Sequence, residues 1–596
     1  MTRPSSVWIV LALAGCGDDI ASGEGSGEGT TQGTDTEGTS GGLTSSSSGG
    51  GGSSTSGGQG SSTTNSTASF TSGSSTSGGP DSSTTSRGSS GGDSTSGGPA
   101  FGRARFLAKD ALEPGGHRIA LFTYEGGVLS EVELVAEAIV SQVFANQAGD
   151  IAAYRFFDDG NPNAAYAIDL SSEPVGAPQP FVQPPVPGGD TPAVPTYLEA
   201  SGLFTFETTG DDGRALYVSD FTGGVLGTPE LIMVDSGLQS DARYDASGTQ
   251  VTYRVGSMPE EVNVYVGSLL DPEPDTALLV ASSAGQFAPI VAAEFVPEHE
   301  AVVYAIDDVV FALDLALYFV DITGGVASAP VRIDDPSLAD PEARVAGPYY
   351  APDGHALVYW AGTGLIGDLF MVDVESGIPG QPMPVESFEG TPRRDVRWSP
   401  DSRWLAYHPV VDDEETHALY VVDASGDVPG VPIPVADGLP VGRIVDLFGY
   451  DPDQWLYFIA PFGQPDANLF RVDLSGAAPS AAQRVSGRHG PLLGEMVPSR
   501  DWAQVMYTAY DENFDVRLYS VEVSGDEPGA STRIDAAEPD VNVSFGARFS
   551  FDASTVLYRE NHPGGLQPMM LRDLENGDLL PVAEDTQTAI PVANLD

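Results

Sequence analysis

From about Phe101 to the C-terminus one unit returns about every 47 to 55 residues. A repeat of that length constrains the fold more than any other feature. Each copy must form one supersecondary unit, and it must hide its apolar surface against the next copy. Every unit opens with an aromatic or other apolar residue running into a tight turn. Tyr350–Ala351–Pro352–Asp353–Gly354 and Trp398–Ser399–Pro400–Asp401–Ser402 are the clearest turns. Tyr244–Asp245–Ala246–Ser247–Gly248, Phe295–Val296–Pro297–Glu298, Tyr450–Asp451–Pro452–Asp453 and Phe549–Ser550–Phe551–Asp552 are weaker copies. Proline presets φ at the first central position of a type I turn, and aspartate tolerates the second. An alternating apolar strand follows, as in Ala356–Leu357–Val358–Tyr359 and Trp404–Leu405–Ala406–Tyr407. After a variable loop comes a second signature: Asp368–Leu369–Phe370–Met371–Val372–Asp373, Ala418–Leu419–Tyr420–Val421–Val422–Asp423 and Leu469–Phe470–Arg471–Val472–Asp473. A Gly- and Ser-containing turn then leads to a short last strand such as Val431–Pro432–Ile433–Pro434–Val435.

Strand, turn, strand, loop, strand, turn, strand is a four-stranded antiparallel meander, and helical periodicity is scarce. A single meander exposes two apolar faces. Radial stacking around a channel covers both, so the chain is expected to be all-β, a β-propeller of four-stranded blades with about eight to ten repeats. Nine full copies have turns near Asn146, Ala200, Ala246, Pro297, Pro352, Pro400, Pro452, Ser499 and Phe551. A tenth, truncated at its front, runs from Arg105 through Leu121–Phe122–Thr123–Tyr124 to Val135. The terminal Thr588–Ala589–Ile590–Pro591–Val592 can supply its missing first strand and close the ring as a clasp. Even spacing favours one large ring over two rings, or over an eight-bladed ring with degenerate copies. Trp398, Trp404, Tyr359, Tyr407, Tyr457, Tyr507 and Tyr558 are predicted at equivalent strand positions, packed between blades. Trp360 and Trp455 depart from that pattern and are expected to reach a surface. The turn motif resembles the Tyr/Trp-Ser-Pro-Asp-Gly repeats of TolB-like propellers, which the propeller domains of prolyl oligopeptidases share. This resemblance covers residues 101–596; it implies the fold, and it suggests protein partners in a bacterial envelope.

Met1–Thr2–Arg3 and the apolar stretch Val7–Trp8–Ile9–Val10–Leu11–Ala12–Leu13–Ala14 read as an export signal over residues 1–15. Leu13–Ala14–Gly15–Cys16 resembles the bacterial lipobox, which implies that the thiol of Cys16 receives diacylglycerol and becomes the mature N-terminus. Cys16 is the single cysteine. With no disulfide partner to find, it suits a lipid attachment site. Each buried CH₂ of an acyl chain contributes about 0.8 kcal/mol to membrane binding. Residues 16–100 form a Gly/Ser/Thr-rich linker with almost no large apolar side chain, expected to be a disordered tether. About 80 such residues span roughly 50 Å root-mean-square, and the Ser/Thr density permits O-glycosylation. Gly38–Thr39–Ser40–Gly41–Gly42 matches a serine-hydrolase pattern but has no flanking strand or helix, and it reads as low-complexity sequence.

Charge narrows the partners. Twenty-six basic against 84 acidic residues give −58, about 50 of it in the repeats, and Lys109 is the only lysine. Such a field repels a phosphate backbone, so nucleic acid is excluded as a partner. A single cysteine also excludes a disulfide framework and a thiolate zinc cluster. His117, His299, His355, His408, His417, His489 and His562 are scattered and form no zinc-hydrolase motif. His408 and His417 flank Val411–Asp412–Asp413–Glu414–Glu415, the densest group of potential ligands, but the spacing of a dedicated Ca²⁺ loop is absent. Asp211–Asp212–Gly213 and Phe157–Asp158–Asp159–Gly160 read as turns.

No catalytic, cofactor or metal residue is assigned. Ser399–Pro400–Asp401–Ser402–Arg403–Trp404 is similar to a sialidase box, yet Ser402 replaces its glycine and Trp404 comes early. Arg393, Arg394 and Arg397 lie together as a candidate carboxylate-binding trio, or simply balance local acidity. The repeats run to the C-terminus without the α/β-hydrolase domain that catalytic relatives of prolyl oligopeptidase carry. The expected function is therefore a membrane-anchored, non-catalytic propeller at the outer membrane or cell surface, binding an envelope protein. A glycan- or peptide-active propeller enzyme and an adhesive surface protein tuned by salt or Ca²⁺ are the alternatives.

Overall fold

The computed structural model describes residues 103–592, apart from segments of which the longest are 182–190, 284–289, 308–314, 335–342, 411–418, 436–445 and 462–466. Cys16, the linker 16–100 and the acidic loop 411–415 lie outside the described residues. Ten four-stranded antiparallel blades, numbered here in chain order, make one ring. The 18-residue strand Val128–Ala145 joins two of them without a break. Its first part pairs with Gly116–Glu125 as the outermost strand of blade 1. Its last part pairs with Ile151–Asp158 as the innermost strand of blade 2.

Alternation along each strand explains why the blades stack. In the second strand of blade 6, Leu357, Tyr359 and Ala361 pack against blade 5, whereas Ala356, Val358 and Trp360 pack against blade 7. Period-two side chains thus make both faces of one sheet apolar. The same arrangement recurs at every seam, so the apolar clusters lie between successive blades. Ala104, Phe106 and Tyr124 of blade 1 meet Leu557, Met569 and Leu571 of blade 10, which closes the circle. Tyr124 donates its hydroxyl proton to Asp573 at 3.0 Å across that seam.

The expected clasp is present. Thr586–Val592 pairs antiparallel with Arg103–Leu112, with Arg105 opposite Val592 and Leu107 opposite Ile590. The C-terminus therefore provides the innermost strand of the blade that opens the ring.

Blades 2 to 9 each press one aromatic pair against the blade before them. Tyr154–Tyr166, Phe206–Tyr217, Tyr253–Tyr265, Tyr304–Tyr318, Tyr359–Phe370, Tyr407–Tyr420, Phe458–Phe470 and Tyr507–Tyr519 stack with ring centroids 5.3–5.7 Å apart. They join the second and third strands at one register, and each such pair adds about 0.5–1.5 kcal/mol beyond its burial. Blade 8 corrects the sequence alignment: its equivalent residue is Phe458, and Tyr457 sits one position early, facing blade 9. Trp360 also departs from expectation. It is 1% exposed and lies between blades 6 and 7, because its even-numbered neighbours on the strand share that face. Trp455 is half-buried, with the Arg471 guanidinium 3.8 Å above its ring.

The first turns of blades 2 and 4 to 10 follow one template, the N–H three positions on donating to the carbonyl that opens the turn. In blade 6 the Gly354 N–H donates to the Ala351 carbonyl at 2.9 Å, and Gly354 has φ +72°. A Cβ there would stand 1.9 Å from the Pro297 carbonyl oxygen of blade 5, so glycine is required twice over. The same left-handed position holds Ser402, Gln454, Trp502 and Ala553 in blades 7 to 10, whereas in blade 5 the residue before it, Glu298, takes the positive φ.

Polar latches supplement the seams. Arg105 donates to the Leu170 carbonyl at 2.8 Å and Trp404 Nε1 to the Leu474 carbonyl at 2.8 Å. Arg471 donates to the Val523 carbonyl, and His355 Nε2 lies 3.1 Å from the Ala424 carbonyl. All four acceptors follow the acidic residue that ends a third strand, on the neighbouring blade.

Deleting residues 586–596 should cost about 2–4 kcal/mol, counting lost ladder bonds at roughly 0.5–1 kcal/mol each. Urea denaturation of the shortened chain checks this, and an unchanged midpoint would mean that the clasp is dispensable. Asp451 generates a second expectation. Burial pushes its carboxyl up to about 6, against the backbone N–H of Trp455 and the other donors around it. A folded pKa above the unfolded value near 3.9 means that stability is fullest below about pH 4 and is withdrawn as pH rises through 6. Asn146 fills the equivalent turn position in blade 2, accepting from Asp150 and Ile151 N–H. Asp451→Asn should therefore stabilise the protein by about 2 kcal/mol at pH 8 and by much less at pH 4. Denaturation at the two pH values reads the difference; an equal effect at both would refute the assignment.

Candidate functional site

Turns between first and second strands and loops between third and fourth strands share one end of every blade, so they form one face of the ring. The loops have a common frame. The carbonyl of an acidic residue accepts the N–H seven positions on: Gly176 to Asp169, Gly227 to Asp220, Ser328 to Asp321, Gly380 to Asp373, Gly430 to Asp423, Ser480 to Asp473 and Gly529 to Glu522, at 2.7–3.3 Å. In five of these loops the carboxylate also accepts the N–H two positions on, from Ser171, Thr323, Glu375, Ser425 or Ser475. This explains the aspartate that ends the second sequence signature: it caps its own loop.

The first turns fix further carboxylates. Ser399 donates to Asp401 at 2.6 Å and accepts the Trp404 N–H at 2.7 Å. Ser499 with Asp501 and Ser550 with Asp552 repeat the arrangement in blades 9 and 10. The segment similar to a sialidase box is thus a first turn like its neighbours.

Four of these carboxylates are held in the charged form. Hydrogen bonds from Thr323 keep the Asp321 carboxyl below its usual range. For Asp353, Asp423 and Asp501 burial pulls upward, but the hydrogen bonds they accept outweigh it and leave each below the usual range. A general acid needs the opposite shift, so this array is suited to attracting cations rather than to delivering protons. The few cations on the face serve the seams. Arg403 bridges Asp423 at 3.1 Å and the Gly476 carbonyl of blade 8 at 3.0 Å. His355 contacts Asp353 at 2.6 Å through Nδ1, while Ser402 accepts the Asp353 N–H. His355 thus places Nδ1 against Asp353 and Nε2 against the Ala424 carbonyl of blade 7.

The innermost strands carry a second set. Arg243, Arg397 and Arg548 each stand two residues before a first turn, paired with Thr252, Ala406 and Leu557 at one register. Arg243 is 3.7 Å from Glu294 of blade 5, whose carboxyl is raised by burial and lowered again by Arg243. Arg397 donates to the Val396 carbonyl and Arg548 to the Ala547 carbonyl. Of the arginines that the sequence placed together, Arg393 and Arg394 share the strand Thr391–Trp398 with Arg397. Arg243 and Arg548 were missed; their spacing before the turn was the available signal. His408 is buried in the second strand of blade 7, and His562 contacts Glu560 at 3.1 Å. His417, His489, Asp159, Gly160, Asp211 and Asp212 lie outside the described residues. Among the described residues no group of three or more His, Cys, Asp or Glu side chains could hold a metal ion.

No family model matches the chain, and no curated protein is similar to it in sequence. Solved structures align with parts of the chain at low identity. A eukaryotic initiation factor aligns over 72% of this chain and 96% of its own, with 11% identity and a TM-score of 0.45. A prolyl endopeptidase aligns over 65% of this chain and 55% of its own, with 12% identity and a TM-score of 0.35. TolB from Acinetobacter baumannii aligns over 57% and 82%, with 13% identity and a TM-score of 0.24.

Fixed like charges on one face repel one another, and salt screens that repulsion. The melting temperature should rise by several degrees between low salt and about 0.5 M NaCl. Scanning calorimetry across that range checks it; a flat response would show that the loop hydrogen bonds already offset the repulsion.

Proposed function

We propose that this chain is a lipid-anchored, non-catalytic binding module of a bacterial envelope. It is held at the outer membrane or cell surface through Cys16 and presents its ring face to a cationic protein partner. The observation that carries the reading is the locked anionic face. One hydrogen-bond frame recurs in seven loops while their tips vary, from Gly-Gly-Val in blade 5 to Asp-Glu-Pro in blade 9. A rigid frame with variable tips separates stability from recognition, as binding loops on scaffolds do. Carboxylates fixed in advance attract a basic surface without the entropic cost of ordering them.

The Gly/Ser/Thr-rich linker supports the anchored part of the reading, since it allows a ring to search a volume around a lipid. Cys16→Ala should move the protein from the membrane to the aqueous fraction. Partitioning that does not change would remove the anchor. In cross-linking on intact cells, the recovered partners should be basic proteins whose yield falls with salt. Recovery of acidic and basic proteins alike, insensitive to salt, would count against electrostatic capture.

A further inference from the structure

We propose that the rim of blades 3 to 7 on this face is a docking surface for a basic polypeptide carrying apolar side chains. The juxtaposition behind it is one exposed apolar tip per blade, each set beside acidic residues of the same loop. Val225, Leu270, Val326, Ile378 and Val428 occupy the loops between third and fourth strands of five consecutive blades. They are 59%, 67%, 70%, 71% and 70% exposed. Four of them, in blades 3, 5, 6 and 7, occupy the same slot, five positions after the acidic residue that closes the loop.

The loop itself does not require an apolar residue there. Blades 8 and 9 build the same frame, with Ser480 N–H on the Asp473 carbonyl and Gly529 N–H on the Glu522 carbonyl, yet the slot holds Ala478 and Glu527. Four blades thus keep exposed apolar surface at a slot where two others build the same frame without it, and Leu270 adds a tip in the blade between them. Scattered exposed apolar residues need no explanation, but a series at one repeated position does. The arc begins beside a shallow groove between blades 2 and 3, lined by Pro180, Phe181, Leu226 and Pro229, which offers a further apolar foothold.

Charge decides the occupant. Asp220, Asp271, Glu273, Asp321, Glu375 and Asp427 flank the tips, so an anionic bilayer or a second copy of this face would be repelled. A cationic chain with apolar side chains satisfies both features. This inference rests on the binding-module reading and locates its contact surface.

The test uses the full chain and two synthetic peptides, an amphipathic one of leucine and lysine and another with every leucine replaced by serine. The wild-type chain should bind the leucine peptide at least about tenfold more tightly than the serine peptide, a difference of about 1.4 kcal/mol. In the combined variant Val326→Ser, Ile378→Ser and Val428→Ser that preference should vanish while the melting temperature holds. Ala478→Ser, outside the arc, should leave the preference intact. A combined variant that keeps the preference overturns the docking arc and leaves the binding-module reading standing. Failure of the wild-type chain to bind either peptide overturns both. Binding to phosphatidylglycerol vesicles that the combined variant loses would make lipid the occupant and overturn the proposal.

Discussion

No blade of this ring owns a core. Every strand that the pattern makes apolar is apolar on both sides, and the clusters it feeds lie between one blade and the next. A blade taken alone would expose both faces to water, at roughly 25 cal/mol per Å² of apolar surface. Closure is therefore a condition of folding rather than an ornament. It is met where Phe106 and Tyr124 reach Leu557 and Met569, with the first and last strands of the folded chain laid side by side.

Acidity acts at two levels. Locally, an aspartate at the end of a third strand stabilises the loop that follows by accepting N–H groups that would otherwise lack protein partners. Globally, the same residues accumulate a charge that opposes compaction. Arginine is scarce and is placed where this conflict is sharpest. Arg517 is buried between Asp511 at 3.0 Å and Asp515 at 2.6 Å, and it also reaches the Val541 carbonyl of blade 10. Arg471 stacks on Trp455 and donates to blade 9. Burying an arginine among several acceptors ties two blades together where a lysine, with one compact ammonium group, could not span them.

The face that results is chemically uniform underneath and varied at its tips. The hydrogen bonds accepted by Asp321, Asp353, Asp423 and Asp501 favour the charged form of those carboxylates. On the proposed reading, recognition by such a surface would depend on which tips are apolar, which are charged, and how they are spaced around the ring.

Much of this was legible in the sequence. Period-two alternation, the Pro-Asp turns and the recurring Val-Asp ending determined a ring of meanders, and the missing first strand of the opening unit pointed to Thr588–Val592. These are local signals repeated along the chain, so errors in one copy are corrected by the others. What the tertiary structure decided is whatever depends on neighbours. Trp360 looked surface-bound because its residue type broke the pattern, but its strand parity sends it into the seam with blade 7. Tyr457 looked like the repeat tyrosine, yet pairing with the third strand gives that place to Phe458. The latches made by Arg105, His355, Trp404 and Arg471 all end on carbonyls of an adjacent blade, some 50 to 70 residues away. No linear pattern encodes such a partner, because only stacking brings the donor and the carbonyl together.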